Sequence, residues 1–135
     1  MRNKPSLKVK SKIWIELMDE VVCGQGRVRL FEEIEKTGST SQAAALLGMS
    51  FRDAWGKVTA TEDRLKLQLV ERQQGNRRKG TTLTPAGKEI LNRYTSFQRE
   101  AHEKVDELFE KHLEELLNHL KQHIIILRTI RLKRY

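Results

Sequence analysis

The first apolar pattern along the chain is an alternation. Apolar residues at positions 7, 9, 13, 15 and 17 are separated mostly by lysines, and a period of two is typical of a half-buried strand. Residues 18–20 are a predicted turn and residues 21–23 a short return strand. The pattern therefore predicts an N-terminal β-hairpin, which the glycines at 24 and 26 end.

Three helices are predicted next. Apolar residues at 28, 30, 31 and 34 form a helical stripe over residues 27–36. Ser41 is the predicted N-cap of the second helix, and Gly48 supplies the left-handed residue after its end. Ser50 is the predicted N-cap of the third helix, whose apolar face is expected to contain Ala54, Trp55, Val58 and Leu65.

Residues 38–58 have the spacing of a helix-turn-helix. The small residues Ala43 and Ala44 would let the second of its helices cross closely over the first. In a DNA-binding motif of this kind, that second helix enters the major groove. A helical hairpin inside an ordinary core shows the same pattern, so this stretch alone leaves both interpretations open.

A basic hairpin follows the third helix. Its predicted strands are residues 69–74 and 81–84, and its tip carries Arg77, Arg78 and Lys79 between two glycines. Three cations on a tip suit contact with phosphate. Thr84 and Pro85 then mark the start of another helix. Three helices and a basic hairpin predict a winged helix-turn-helix, which favours DNA binding.

The charge of the chain supports a polyanionic partner. Among 135 residues, 33% are charged and the formal net charge is +8, a balance that favours nucleic acid. The longest apolar run, residues 124–127, is too short to span a bilayer, and a lone cysteine, Cys23, cannot form an internal disulfide. We therefore expect a cytoplasmic protein without a membrane partner.

The C-terminal third is a predicted long helix. Apolar residues recur at spacings of three and four from position 90 to position 127. A continuous helix over residues 85–123 would be ~58 Å long, and a second copy of the chain is the simplest cover for its apolar stripe. The alternative is a helix that bends back on its own domain. The expected dimer contacts are Tyr94, Phe97, Ala101, Val105, Leu108, Leu116 and Leu120.

These patterns predict a mainly α protein with a small β component. A winged helix-turn-helix domain with an N-terminal β-hairpin occupies residues 1–84, and residues 85–135 are a dimerisation helix with a basic tail.

Several short motifs then carry a family resemblance: residues 12–15, Gly26-Arg27, residues 37–39, Gln42-Ala43-Ala44, residues 47–55, residues 69–72 and residues 83–87. Through them residues 12–97 resemble the DNA-binding domain of the molybdate-responsive ModE regulators, which are related to LysR-type regulators. The resemblance implies a transcription regulator that binds double-stranded DNA, and it suits dimerisation through the long helix.

Two departures limit what the resemblance implies. The hairpin is shorter and more basic than the ModE wing, and 135 residues leave no room for a molybdate-binding domain. DNA binding is therefore implied more strongly than molybdate sensing. Two alternatives stay open: the effector is bound by a separate protein, or the regulator answers to something other than molybdate.

The candidate DNA-binding residues fall into three groups. Phe51, Arg52 and Lys57 on the recognition helix are the expected groove contacts. The residues expected near the DNA backbone are Ser39, Ser41, Gln42 and Ser50. Those of the wing are Arg72, Arg77, Arg78 and Lys79.

Other functional classes have weaker support. His119 and His123 are four residues apart and could share a metal ion, which leaves a metal-sensing repressor as one alternative and a protein-interaction module as another. No nucleophile, base and orienting group appear together. We therefore expect neither an enzyme nor a cofactor.

The basic wing generates a first prediction. Replacing Arg77, Arg78 and Lys79 together by alanine should flatten the salt dependence of DNA binding by about two to three charge equivalents per wing, because each cation is expected to neutralise a phosphate. A titration over salt concentration measures the slope. An unchanged slope would remove the wing from the interface.

Overall fold

The computed structural model describes residues 7–72 and 80–133. Their elements are two short hairpins and four helices: β1 (Ile15–Leu17), β2 (Glu20–Cys23), α1 (Gln25–Thr37), α2 (Thr40–Leu46), α3 (Phe51–Leu65), β3 (Val70–Arg72), β4 (Thr81–Leu83) and α4 (Pro85–Lys133). Each hairpin is an antiparallel pair, β1 with β2 and β3 with β4. The predicted fold class, a mainly helical winged helix-turn-helix followed by a long helix, is confirmed.

The chain divides into two compact units. One is Ile13–Gln98, and the other combines the segment before residue 13 with the chain from Arg99 onward. The first unit includes the start of α4 because Ile90, Leu91 and Tyr94 pack against its core. It therefore extends past residue 84, where the sequence pattern had suggested a boundary.

The core of the Ile13–Gln98 unit forms where three helices and the wing meet. Leu30 and Ile34 of α1 are fully buried, as are Ala43 of α2 and Val58 of α3. Leu69, Val70 and Leu83 close the core from the wing side. Ala44 and Ala54 are also buried, so the predicted close packing of small residues in the helix-turn-helix is confirmed.

The helix ends follow the predicted caps with one exception. The Ser50 hydroxyl accepts a hydrogen bond from the Asp53 N–H at 3.0 Å, and Thr84 accepts one from the Gly87 N–H at 3.1 Å. Both predicted caps are confirmed. Gly48 has a φ of +69°, the left-handed conformation expected after α2.

The exception is the cap of α2, for which the choice of Ser41 is wrong. Gly38 ends α1 in the left-handed conformation, so the chain is already extended at the next residue. There the Ser39 hydroxyl accepts a hydrogen bond from the Gln42 N–H at 3.1 Å. Ser41 instead lies inside the first turn of α2.

The N-terminal strand is shorter than predicted. Residues 7–14 form no regular structure, and β1 contains only three residues. Leu7, Ile15 and Leu17 are exposed, whereas Val9 and Ile13 are half-buried, so the alternating pattern does not form a fully buried face. Met18 and Asp19 adopt positive φ angles of 52° and 68° and form the tight turn between β1 and β2.

Tyr94 belongs to the core rather than to a dimer surface. It is 3% exposed, and its hydroxyl donates a 2.7 Å hydrogen bond to the Ile13 carbonyl. Burial raises the pKa of Tyr94. The prediction that Tyr94 contacts a second copy is therefore wrong, because the winged unit itself covers the ring.

From Arg99 onward, α4 keeps much of its apolar surface in contact with solvent. Leu108, Leu116, Ile125 and Ile130 are each close to half exposed, whereas Ala101, Val105 and Leu120 are half-buried. Among the described residues, no helix is apolar over a length sufficient to cross a membrane.

Two glutamate side chains join the wing to the helices by accepting hydrogen bonds from its backbone N–H groups. The Glu62 carboxylate of α3 accepts from the N–H groups of Leu69 and Val70 at 2.7 and 3.2 Å. The Glu35 carboxylate of α1 accepts from the Leu83 N–H at 3.1 Å. Because carboxylates make strong hydrogen bonds with N–H groups, these two residues fix the base of the wing against α1 and α3.

Two helical glycines should respond to alanine in opposite ways. A Cβ at Gly87 would overlap the Leu69 carbonyl oxygen, whereas a Cβ at Gly56 meets no atom within 4 Å. We expect Gly87→Ala to lower the free energy of unfolding by about 1–3 kcal/mol. Gly56→Ala should raise it by about 0.5–1 kcal/mol, because alanine favours helix. Chemical denaturation measures both, and equal effects would contradict the packing at Gly87.

Candidate nucleic-acid interface

A polar groove of about 600 Å³ opens on the surface of the Ile13–Gln98 unit. One wall is the α1–α2 turn with the start of α2, and the other walls are the first turns of α3 and the two wing strands. The residues that line it are Thr37, Gly38, Ser39, Thr40, Ser41, Gln42, Phe51, Trp55, Arg72, Gly80 and Thr81.

The groove depends on a close approach between the wing and the α1–α2 turn. The Thr81 N–H donates a 2.8 Å hydrogen bond to the Gly38 carbonyl. Gly80 has a φ of +56°, and a Cβ at that position would overlap the same carbonyl oxygen. Only glycine allows the wing strand to approach the turn this closely at this point. The geometry of the groove is therefore fixed by backbone contacts.

The structure brings five of the predicted site residues together at this groove: Ser39, Ser41, Gln42, Phe51 and Arg72. Ser50 and Arg52 lie beside it, the first as the cap of α3 and the second exposed in the first turn of that helix.

The other predicted contacts are placed differently. Lys57 is half-buried and does not line the groove. It is five residues from Arg52, which is about 140° around the helix. Arg77, Arg78 and Lys79 lie outside the described residues.

Trp55 was predicted to be a core residue, and this is wrong. It is 41% exposed, lines the groove and stacks on Phe51. The buried line of α3 contains Ala54, Val58 and Thr61, and one further residue rotates the side chain by about 100°. The sequence does contain a signal for the exposure of Trp55. Glu62 lies two turns further along the helix on the same side, so that side is partly polar.

Two other arginines, Arg64 on α3 and Arg27 on α1, have a structural role. The Arg64 guanidinium donates to the Val21 carbonyl at 2.7 Å and forms an ion pair with Glu20 at 2.9 Å. Arg27 Nε donates to the Thr61 hydroxyl at 2.9 Å. Burial, and then the neighbouring Arg64, lower the pKa of Arg27. These contacts hold β2 and α1 against α3, so the two arginines serve the fold.

The structure also places Cys23 and the histidine pair of α4, which the sequence offered as a thiol and as candidate metal ligands. Burial raises the pKa of the Cys23 thiol more than the nearby Arg27 lowers it, which keeps the thiol protonated at neutral pH. Across residues 7–72 and 80–133, no three His, Cys, Asp or Glu side chains are close enough together to hold a metal ion. His119 and His123 are both exposed on α4.

The sequence matches a known family of DNA-binding domains. The profile of the bacterial regulatory helix-turn-helix proteins of the lysR family matches residues 26–88. This range contains the helix-turn-helix, the wing and the start of α4, and every residue named above as lining the groove falls inside the match.

Curated relatives are similar over the same part of the chain. The molybdenum transport protein ModE of Azotobacter vinelandii is 34% identical over 86 residues, which are 63% of this chain and 32% of that protein. The molybdenum-pterin-binding protein MopB of Rhodobacter capsulatus is 36% identical over 76 residues, 56% of this chain and 28% of that protein. The transcriptional regulator ModE of Haemophilus influenzae is 33% identical over 86 residues, 63% of this chain and 34% of that protein. The chain thus spans about a third of the length of these relatives.

Solved structures share the fold. A complex of the CbnR DNA-binding domain with DNA has a TM-score of 0.50 at 24% identity, and the match covers 61% of this chain and 90% of that one. Vibrio fischeri DarR in complex with DNA has a TM-score of 0.51 at 22% identity, over 67% of this chain and 29% of that one. At these identities the likeness shows the fold alone.

Proposed function

We propose that the protein, whose residues 26–88 match the helix-turn-helix profile of the lysR family, is a transcription regulator that binds double-stranded DNA through the groove between α2, α3 and the wing. One observation carries the proposal: α3 buries one face in the core and exposes Phe51 and Arg52 in its first turn. In helix-turn-helix proteins, the start of the second helix contacts base edges. The family match describes regulatory DNA-binding proteins and favours neither a metal sensor nor a protein-interaction module.

The groove residues have chemistry that suits a DNA strand. The hydroxyls of Ser39 and Ser41, the amide of Gln42 and the guanidinium of Arg72 surround the start of α3. Side chains of these types, together with backbone N–H groups, make most of the phosphate contacts in protein–DNA complexes. We assign them to the phosphate backbone, and Arg52 to a base edge, where guanine offers two acceptors in the major groove.

The proposal extends to a homodimer on an inverted repeat. Leu108 and Leu116 of α4 are 54% and 47% exposed, and a second copy of the helix would remove both from water. One recognition helix reads only a few base pairs, so pairing two of them increases specificity. Phe97, Ala101, Val105 and Leu120 complete the proposed seam.

The relatives' names support a link to molybdenum. Similarity that lies in the DNA-binding part of those proteins favours related target sites, so we propose control of genes of molybdenum metabolism. The similar part is about a third of the length of each relative. We also propose a separate effector-binding protein as partner.

Two cations on α3 offer a matched test of DNA binding. We expect Arg52→Gln to weaken binding to a duplex selected from a random-sequence library by about tenfold or more, because it removes a base contact. Lys57→Gln removes the same charge away from the groove and should change binding by at most about twofold at physiological salt. Fluorescence anisotropy measures both affinities. Equal losses for both variants would contradict the assigned face of α3.

The seam of α4 gives a second matched test. Val105→Lys with Leu108→Lys adds two positive charges to the proposed interface, and we expect a monomer in sedimentation and weaker binding to the selected duplex. Glu103→Gln with Glu110→Gln changes the net charge equally about 200° around the helix, and should stay dimeric. A wild-type protein that sediments as a monomer while binding the selected duplex would contradict the dimer.

A further inference from the structure

Two aromatic rings form an apolar patch in the otherwise polar groove. Phe51 and Trp55 lie one turn apart on α3, with ring centroids 6.3 Å apart and ring planes within 6° of parallel. Phe51 is 47% exposed and Trp55 41% exposed. Offset parallel stacking restrains each ring against the other, so the patch is a defined surface on the groove wall.

The two rings contribute little to the core of the winged unit. The core contacts of α3 come from Ala54, Val58 and Thr61, which leave the two rings outside. Keeping large rings in water forgoes the free energy that their burial would release. Exposed apolar patches with a polar border commonly mark binding surfaces. The rings are therefore candidates for a contact that forms only when a partner enters the groove.

The chemistry of the rings selects one feature of DNA. The phenyl ring of Phe51 has no hydrogen-bonding group, and the indole of Trp55 offers one donor and no acceptor. A stacked pair of such rings suits an apolar group better than a polar base edge. On the major-groove edges of the four base pairs, the apolar group is the C5 methyl of thymine.

We propose that the stacked Phe51–Trp55 pair recognises thymine through its C5 methyl group and sets the sequence preference of the protein at that position. The inference rests on the proposed function, since it requires α3 in a major groove. Arg52, between the two rings in sequence, would contact a neighbouring base edge, so one turn of α3 combines a polar and an apolar readout.

Replacing thymine by deoxyuridine tests this contact without altering the protein. Deoxyuridine keeps the base pair and the O4 acceptor and removes only the methyl group. A duplex is selected from a random-sequence library, and each of its thymines is replaced in turn. Binding of the whole 135-residue chain to each duplex is then measured. We expect wild-type binding to weaken by about fourfold for each contacted methyl group at one position per half-site, and Trp55→Ala to bind the thymine and deoxyuridine duplexes equally.

The matched control is the other tryptophan. Trp14 is 51% exposed and donates to Glu16 in the first hairpin, away from the groove residues, so Trp14→Ala should keep the full preference for thymine. Thermal unfolding establishes that Trp55→Ala is folded, and Phe51→Ala gives an independent second variant that should also lose the preference.

The outcomes separate the inference from the proposed function. Sequence-specific binding by the wild type that is indifferent to every methyl group overturns the inference and leaves the proposed function standing. A Trp55→Ala protein that retains the thymine preference also overturns the inference. This includes a variant whose affinity falls by the same factor for thymine and deoxyuridine duplexes, as expected for rings packed on the sugar–phosphate backbone. Absence of any sequence-specific binding overturns both.

Discussion

Ala43, Ala44 and Ala54 are buried where α2 packs against α1 and α3, and a larger side chain at any of the three would push these helices apart. Their close approach fixes the rotation of α3 about its axis, which leaves Phe51 on the surface. The same packing places the α1–α2 turn where the Gly38 carbonyl can bond to the wing. The shape of the proposed DNA-binding surface is therefore a consequence of small side chains in the core.

The sequence predicts most of this arrangement because the determining signals are local. Ser50, Thr84 and Gly48 specify helix ends through their own backbone and hydroxyl groups, and the apolar stripes specify which faces are inside. Capping and periodicity act over a few residues, so they can be read without knowing the tertiary structure. The groove residues Ser39, Gln42 and Arg72 could be predicted because the helix-turn-helix and wing motifs fix their positions along the chain.

Apart from the choice of Ser41 rather than Ser39 as the cap of α2, the errors concern features that depend on contacts between distant residues. Trp55 differs from a core position by about 100° of helix rotation, and only the packing of α3 decides that angle. Tyr94 fits the apolar stripe of α4, but a hydrogen bond to the Ile13 carbonyl, far away in sequence, assigns it to the winged unit. Residues 7–14 alternate but form no strand with any described part of the chain, and a pattern along one segment does not reveal whether a partner strand exists. In each case, an apolar side chain indicated that some contact exists but did not indicate which surface it contacts.

If DNA occupies the groove between α2, α3 and the wing, as we propose, it must change the accessibility of Trp55 to solvent. The chain has two tryptophans, so Trp14→Phe leaves Trp55 as the only one. Quenching of its fluorescence by acrylamide, a neutral quencher, reports how much of the ring solvent can reach. We expect quenching to fall when a selected duplex binds, because DNA covers the exposed part of the ring. Unchanged quenching in a complex whose formation is established by anisotropy would contradict it.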